Sequence, residues 1–460
     1  MLKRASILIV MAGLIIAVGF GCKGLSTTEQ QATQSTTLEL WTVYDDVDAM
    51  NNLITKYRAA RPYLTVNVRQ LTPDELYPRL VEALAEDSGP DIISITNRSL
   101  KQYVSKLAAM PSTVKDTTMT VVKKTVGEET VVNTASVALP NVTQLDKEFV
   151  QTVKKDAVLN GRIYGLPLAM DVMALYYNKD LLDRSGIAEP PQNWSEFQED
   201  VRKITRYNKT TGKITQSGVA LGTGNNIPGA DDLLYVLFKQ SGFDFVDRNG
   251  TAVFDRGSSQ ARDIETPVMN VVNFFTDYAN PARDTYSWNE EMPAANERFG
   301  AGAVGFFFGY SYHLPYFNSR APQLNFGVLP LLQLNNESPA NVANYTLLSV
   351  VGKSRHANEA WALINYLTRS AVNDEYIDIT GRLAARRAYL SKQTNDTALG
   401  SFAAQALVAD NWYRGRDYDA ARKAITDMYH EWLNTPDATR IAEWKQSVLS
   451  RAAAKINQTL

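Results

Sequence analysis

Between residues 38 and 96 the chain alternates between stretches built for strands and stretches built for helices, and this rhythm restricts the fold more than any other feature. Leu38, Leu40 and Thr42 alternate with Glu39 and Trp41, the two-residue period of a strand. Val47, Met50, Leu53, Ile54 and Tyr57 follow at helical spacing, with Asp45 or Asp46 as cap and Pro62 as stop. Leu64, Val66 and Val68 alternate again. Thr72-Pro73-Asp74-Glu75 reads as a helix start: Thr72 caps, Pro73 takes the first helical position and Glu75 completes a capping box. Leu76, Leu80, Ala83 and Leu84 are its apolar face. Gly89-Pro90 turns the chain into DIISI (residues 91–95), a short buried strand. Strands linked through helices run parallel, so the opening predicts a parallel α/β sheet.

The pattern breaks at residues 112–140, a Thr/Val-rich stretch with Lys-Lys and Gly-Glu-Glu that reads as a β-hairpin or an edge insertion and suggests no function. A helix is expected over 150–159 and two strand-like runs over 161–182. Asn193 is placed to cap a helix starting at Trp194, and a strand follows near 219–221. Further helices are expected over 231–240 (with Gly242 as C-cap), 259–278 and 290–299. Strands are expected over 303–312, 324–332 and 344–352, then helices over 358–368, 370–379 and most of the chain from 399.

The N-terminus bears on compartment. Lys3 and Arg4 precede an apolar run over 7–20, the length of a signal peptide and short for a membrane span. The run ends in Gly19-Phe20-Gly21-Cys22, which resembles a bacterial lipobox, although Gly19 stands where Leu is usual. On that resemblance residues 1–21 are a leader and Cys22 is the lipidated N-terminus, tethering the chain to a membrane. The other readings are a transmembrane anchor, or a leader cut elsewhere. Residues 22–37 are rich in Ser, Thr and Gln, with Leu25 their one large apolar side chain, and read as a flexible tether. Cys22 is the only cysteine, so no disulfide can form within the chain and folding rests on core burial. The remaining length exceeds one core, so two lobes are expected. Without Lys3 and Arg4, 45 Lys+Arg face 49 Asp+Glu, a net charge of −4, which gives no footprint for nucleic acid.

Enzyme signatures are sparse. His313, His356 and His430 are far apart and lack metal-ligand spacing, so neither a metal site nor a His-dependent triad is expected. Gly222-Thr223-Gly224 follows a strand but lacks the third glycine of a dinucleotide loop and reads as a tight turn; no cofactor is expected. Glycoside hydrolysis needs only two carboxylates, and Asp45, Asp46, Asp171, Asp231 and Asp232 are candidates. Their alternative roles are structural, as caps or in a helix first turn. Asp171 interrupts an otherwise apolar run over 166–177, and a buried carboxylate is costly without a partner. Aromatics recur where strands end: Trp41 and Tyr44, Tyr310 and Tyr312, and Trp412 with Tyr413. Open α/β sheets bind ligands at those ends, and flat rings beside Asp, Asn and Arg suit sugars.

Several motifs carry a family resemblance. Pro167-Leu168-Ala169-Met170-Asp171, an apolar strand over 172–176, then Tyr177-Asn178-Lys179-Asp180-Leu181-Leu182 form one. Others are GPDII (89–93), FGAGAVGFFFGYSY (299–312), VVGKSRHANEAWALINYLT (350–368) and GRLAARRAYL (381–390), where Ala384 replaces a usual Pro. Over residues 38–460 the chain resembles extracellular solute-binding proteins of the maltose/oligosaccharide type, the receptors of bacterial sugar importers. The resemblance implies an α/β two-lobe periplasmic-binding fold of type II. Each lobe would be a mainly parallel sheet flanked by helices, and hinge crossovers would join the two. One lobe would take residues 38–168 and about 345–388, the other about 172–344 and 389–460. It places Asp171 on the cleft acid that meets sugar hydroxyls. Trp41, Tyr44 and Asp45 fall on the first ligand loop, Thr96, Asn97 and Arg98 on the loop after the third strand, and Tyr310, Tyr312 and Trp412 on stacking positions. Asp231 and Asn344 complete the expected set. It implies a monomeric receptor with no catalytic residues, handing a small solute, expected to be a carbohydrate, to the permease subunits of an ABC importer. A non-sugar solute (polyamine, phosphodiester or peptide) and a secreted glycan-active enzyme are the alternatives.

Overall fold

The computed structural model describes residues 25–125, 127–256, 266–435 and 440–460. The leader, Cys22 and the first seven residues of the helix expected over 259–278 lie outside them. Four strands open the chain: β1 (Thr36–Thr42), β2 (Leu64–Gln70), β3 (Ile92–Thr96) and β4 (Leu107–Ala108). A long hairpin of β5 (Thr113–Lys123) and β6 (Glu128–Ala138) follows, then a ribbon of β7 (Val158–Leu159) and β8 (Arg162–Ile163). Next come β9 (Asp171–Asn178), β10 (Arg206–Tyr207), β11 (Ile214–Val219) and β12 (Val304–Tyr310). The last strands are β13 (Phe326–Pro330), β14 (Asn341–Asn344), β15 (Thr346–Val351) and β16 (Ala409–Asp410).

Two mixed sheets result. The first has the order β2-β1-β3-β15-β4; the second runs β10-β11-β12-β9-β14-β16, with β13 also paired to β9. The strands linked through helices are parallel, as expected for β2-β1-β3 and β11-β12. The strands that enter straight from the other sheet are not: β15 runs antiparallel to β3, and β9 antiparallel to β12, β13 and β14. Such strands need no return helix, so nothing forces them parallel.

The sheets are joined closely. Residues 166 and 170 bridge to Leu348 and Leu383, and Asp171 then begins β9. A single residue, Tyr345, separates β14 in the second sheet from β15 in the first. Beneath it Asp156 accepts hydrogen bonds from Tyr345 Oη (2.7 Å), Arg414 Nε (2.8 Å) and Asn97 Nδ2 (3.0 Å). The fully buried Tyr176 centres the second sheet's aromatic core, its ring within about 6 Å of Phe299, Phe307, Phe317, Phe326 and Phe402.

Asp46 and not Asp45 caps the helix Val47–Arg58, accepting from Ala49 N at 2.8 Å. Thr72, Pro73 and Glu75 start Pro73–Ala85 with the expected capping box, and Asn193 caps Trp194–Ile204. The segment read as a tether contains a short helix, Thr27–Ala32, started by a Ser26/Glu29 capping box. The helix expected over 290–299 is only Ala295–Gly300, because Asn226 Nδ2 holds the carbonyls of Asn289 and Met292 in a loop ahead of Pro293. The C-terminal stretch splits into Gly400–Ala406, Tyr418–Leu433 and Ile441–Asn457, and β16 uses the first gap to pair with β14. Among the described residues no helix is long and apolar enough to cross a membrane.

Candidate functional site

Residues at the carboxyl ends of β1, β3 and β12 line a common cleft between the sheets, and two cavities occupy it. The larger, about 700 Å³, lies among the ends of β1 and β3 and the starts of the helices Ala230–Gln240 and Tyr418–Leu433. The smaller, about 490 Å³, lies over Asp171, Ser311 and Arg382. Both are within the ordinary range of ligand pockets. They share Tyr44, Tyr312 and Asn344. Tyr44 follows β1 and Tyr312 follows β12, so each sheet contributes one ring. These rings are 56 % and 41 % exposed and stand at the junction of the two cavities.

The second ring is held from behind. Tyr176 Oη donates to the carbonyl of Tyr310 (2.7 Å), and Tyr310 N–H donates to His313 Nδ1 (3.0 Å). Tyr312 stacks on Tyr310 at 5.4 Å and 17°. Burial pushes His313 down to about 4, so its neutral ring keeps Nδ1 free to accept.

In the larger cavity charges are wired across the cleft. Arg98, just past β3, sets Nη2 2.8 Å from Asp232 Oδ1, as an ion contact without hydrogen-bond alignment. Its Nη1 donates to Tyr418 Oη, which donates to Asp231 Oδ2 at 2.7 Å. Asp232 also accepts from Tyr310 Oη and from Trp412 Nε1 (2.9 Å). Burial would lower Arg98, but Asp232, together with Tyr418, Tyr310 and Asp231, outweighs it and holds the guanidinium charged. Asp231 has no such cation of its own: burial, then the neighbouring Asp232, push it up to about 6. Both aspartates begin a helix whose preceding residue, Gly229, has φ +75°; a Cβ there would sit 3.1 Å from Met173 Cε and 3.2 Å from Tyr310 Cε2. Glycine therefore lets the helix start come close to the Tyr310 ring.

In the smaller cavity the Asp171 carboxylate is paired on both sides. Its Oδ1 accepts from Ser311 Oγ (2.6 Å) and its Oδ2 from Arg382 Nη2 (2.9 Å). The carboxylate is 4 % exposed yet fully partnered.

Eight of the twelve residues singled out from sequence line the cavities: Tyr44, Thr96, Arg98, Asp171, Asp231, Tyr310, Tyr312 and Asn344. Four do not. Trp41 is buried in β1, beneath the guanidinium of Arg69. Asp45 turns inward and accepts from Thr42 Oγ1 (2.7 Å), Thr346 Oγ1 (2.8 Å) and Ser94 Oγ. Asn97 faces Asp156, and Trp412 is fully buried behind Asp232. Sequence reasoning missed Ser311, Arg382, Tyr418 and Arg422, and singled out Asp232 only as a candidate hydrolytic carboxylate. Arg382 sits inside the GRLAARRAYL motif and Tyr418 just past the Trp412 stretch, but their long-range partners leave no local signal. Among the described residues no His/Cys/Asp/Glu cluster could hold a metal.

Comparison with known proteins agrees with this architecture. A family model described as bacterial extracellular solute-binding protein matches residues 52–404. A binding protein of Brucella abortus (strain 2308) is 22 % identical over 354 residues, 76 % of this chain and 75 % of that protein. A solute-binding protein of Thermotoga lettingae, solved with α-D-tagatose, is 18 % identical with a TM-score of 0.66, covering 92 % of this chain and 100 % of its own. The cyclic α-maltosyl-1,6-maltose binding protein of Arthrobacter globiformis is 16 % identical with a TM-score of 0.70, covering 92 % and 99 %. This chain belongs to the family of bacterial extracellular solute-binding proteins.

Proposed function

We propose that this chain is the extracytoplasmic substrate-binding receptor of an ABC importer and takes a sugar or oligosaccharide in the cleft. The observation that carries the reading is the pair of exposed rings, Tyr44 and Tyr312, one from each sheet, at the junction of two polar cavities. Ring faces cover the apolar C–H face of a sugar, and the flanking Asp231 and Asn344 accept from or donate to its hydroxyls. Similar proteins bind tagatose and a cyclic maltosyl-maltose, which supports a carbohydrate cargo. The reading extends to two lobes, residues 38–168 with about 345–388 and about 172–344 with 389–460, that close on cargo and present the closed form to permease subunits. It also includes a lipid anchor on Cys22, a monomeric state and no catalytic role.

Thermal-shift and calorimetric screening against mono- and oligosaccharides tests it, because a cleft ligand stabilises the folded state by mass action. At a hundredfold excess over Kd the gain is about 2.7 kcal/mol. The Tyr44→Ala and Tyr312→Ala variants should each weaken binding by about 1–2 kcal/mol. A screen in which no saccharide shifts melting overturns the reading. Mass spectrometry of the mature N-terminus tests the anchor: an acylated Cys22 supports it, and an unmodified one removes it.

A further inference from the structure

Resting on that reading, we propose that the cargo is an amine-bearing saccharide, its ammonium seated against Asp231 and its ring faces on Tyr44 and Tyr312. The charges of the cleft are unbalanced. Each lining guanidinium already has a carboxylate: Arg98 has Asp232 (2.8 Å), Arg382 has Asp171 (2.9 Å) and Arg422 has Asp419 (3.7 Å). Four more lining carboxylates, Asp46, Asp74, Asp231 and Asp417, have no cation within ion-pair distance among the described residues. Two of these serve as helix caps: Asp46 accepts from Ala49 N and Asp417 from Ala420 N. Asp74 and Asp231 remain.

Asp231 points to the ligand most directly. It is 4 % exposed and lines the larger cavity. Its Oδ2 takes the Tyr418 hydroxyl, and no described residue donates to Oδ1. A buried carboxylate with an unused oxygen facing a cavity lacks one donor, and its adjacent Asp232 makes a charged donor better than a neutral one. A neutral cargo would close the cleft over uncompensated negative charge, whereas an ammonium neutralises it and can lie against a tyrosine face.

Calorimetry on the full mature chain decides the matter. Short glucosamine oligosaccharides are compared with their N-acetylated counterparts and with neutral glucose oligosaccharides, at low salt and at roughly 0.5 M salt. The amine series should bind about 100-fold tighter than the acetylated series, and about tenfold of that preference should vanish at the higher salt. Asp231→Asn should narrow the ratio about tenfold, with Asp74→Asn, in an exposed first turn, as a second variant if the first folds poorly. Equal affinity for amine and acetylated sugars overturns this inference and leaves the receptor reading standing. Binding of spermidine with no binding of any saccharide overturns both.

Discussion

Asp171 is the residue whose role the structure changes most. Both its oxygens are spent inside the protein, on Ser311 and Arg382, and Arg382 itself is held charged because Asp171, with Tyr376 and Asp45, offsets the effect of burial. Asp171→Asn should therefore destabilise the fold by about 3 kcal/mol, since it leaves a mostly buried guanidinium without its partner. Asp171→Asn with Arg382→Gln should cost less than the sum of the two single changes, as read from urea unfolding followed by tryptophan fluorescence; strict additivity would show that the pair does not interact. Asp231 leads to a prediction with the opposite sign. A carboxyl raised to about 6 contributes stability below its unfolded value, near 4, and that contribution is lost as pH rises through about 6. His313, lowered to about 4, acts the other way: its stabilising contribution is complete above about 6.5 and is lost as pH falls towards 4. In the natural chain these slopes oppose each other. Asp231→Asn should raise Tm at pH 7 and make Tm climb more steeply between pH 4 and 6.5; an unchanged slope would show that Asp231 does not titrate in that window. At this scale sequence was informative where a residue type sits at a strand end, as with Tyr44 and Tyr312. It failed for Asp45 and Trp412, because whether a side chain turns toward a cleft or a core depends on partners as distant as Thr346 and Asp232.

Among the elements, the β5–β6 hairpin stands apart. Its root is fastened by Arg61 to Asp116, by Tyr63 Oη to the carbonyl of Thr117 (2.8 Å) and by Met119 N to the carbonyl of Ala60 (2.8 Å). Beyond Met119 the two strands pair only with each other, and Val121, Val122 and Val131 are exposed. None of its residues lines the cleft cavities. Replacing residues 121–130 with an Asn-Gly turn should leave stability within about 0.5 kcal/mol and sugar affinity unaltered, by chemical unfolding and calorimetry. A fall in affinity would tie the hairpin to the cleft. Local chemistry made such elements legible: the capping box at Thr72, the cap at Asn193 and the Thr/Val-rich composition of 112–140 all give structure within a few residues of themselves. The helix expected over 290–299 came out short because its first half answers to Asn226, more than sixty residues away.

At the scale of the whole molecule, the Arg98 contacts to Asp232 and Tyr418 span the cleft, from the end of a first-sheet strand to helices packed on the second. On the proposed two-lobe reading they would favour the closed arrangement even before cargo adds its own contacts. Arg98→Gln should shift the cargo-free population toward open forms, seen as a larger radius of gyration by small-angle scattering, with saturating cargo restoring the compact value. A scattering curve identical to that of the natural chain would show that the contact does not govern closure. The α/β class was readable from the first sixty residues of the body, since alternating periods dictate it. The insertion of β15 between β3 and β4 was not, because strand order is set by packing between segments some 250 residues apart and leaves no periodic trace. That insertion governs timing. A chain that emerges from a ribosome or a pore N-terminus first cannot complete its first sheet until Thr346–Val351 is out, nor its second until Ala409–Asp410 follows. For most of its passage it is a string of unfinished edges, easy to thread and easy to aggregate, and it becomes a protein almost all at once near the end.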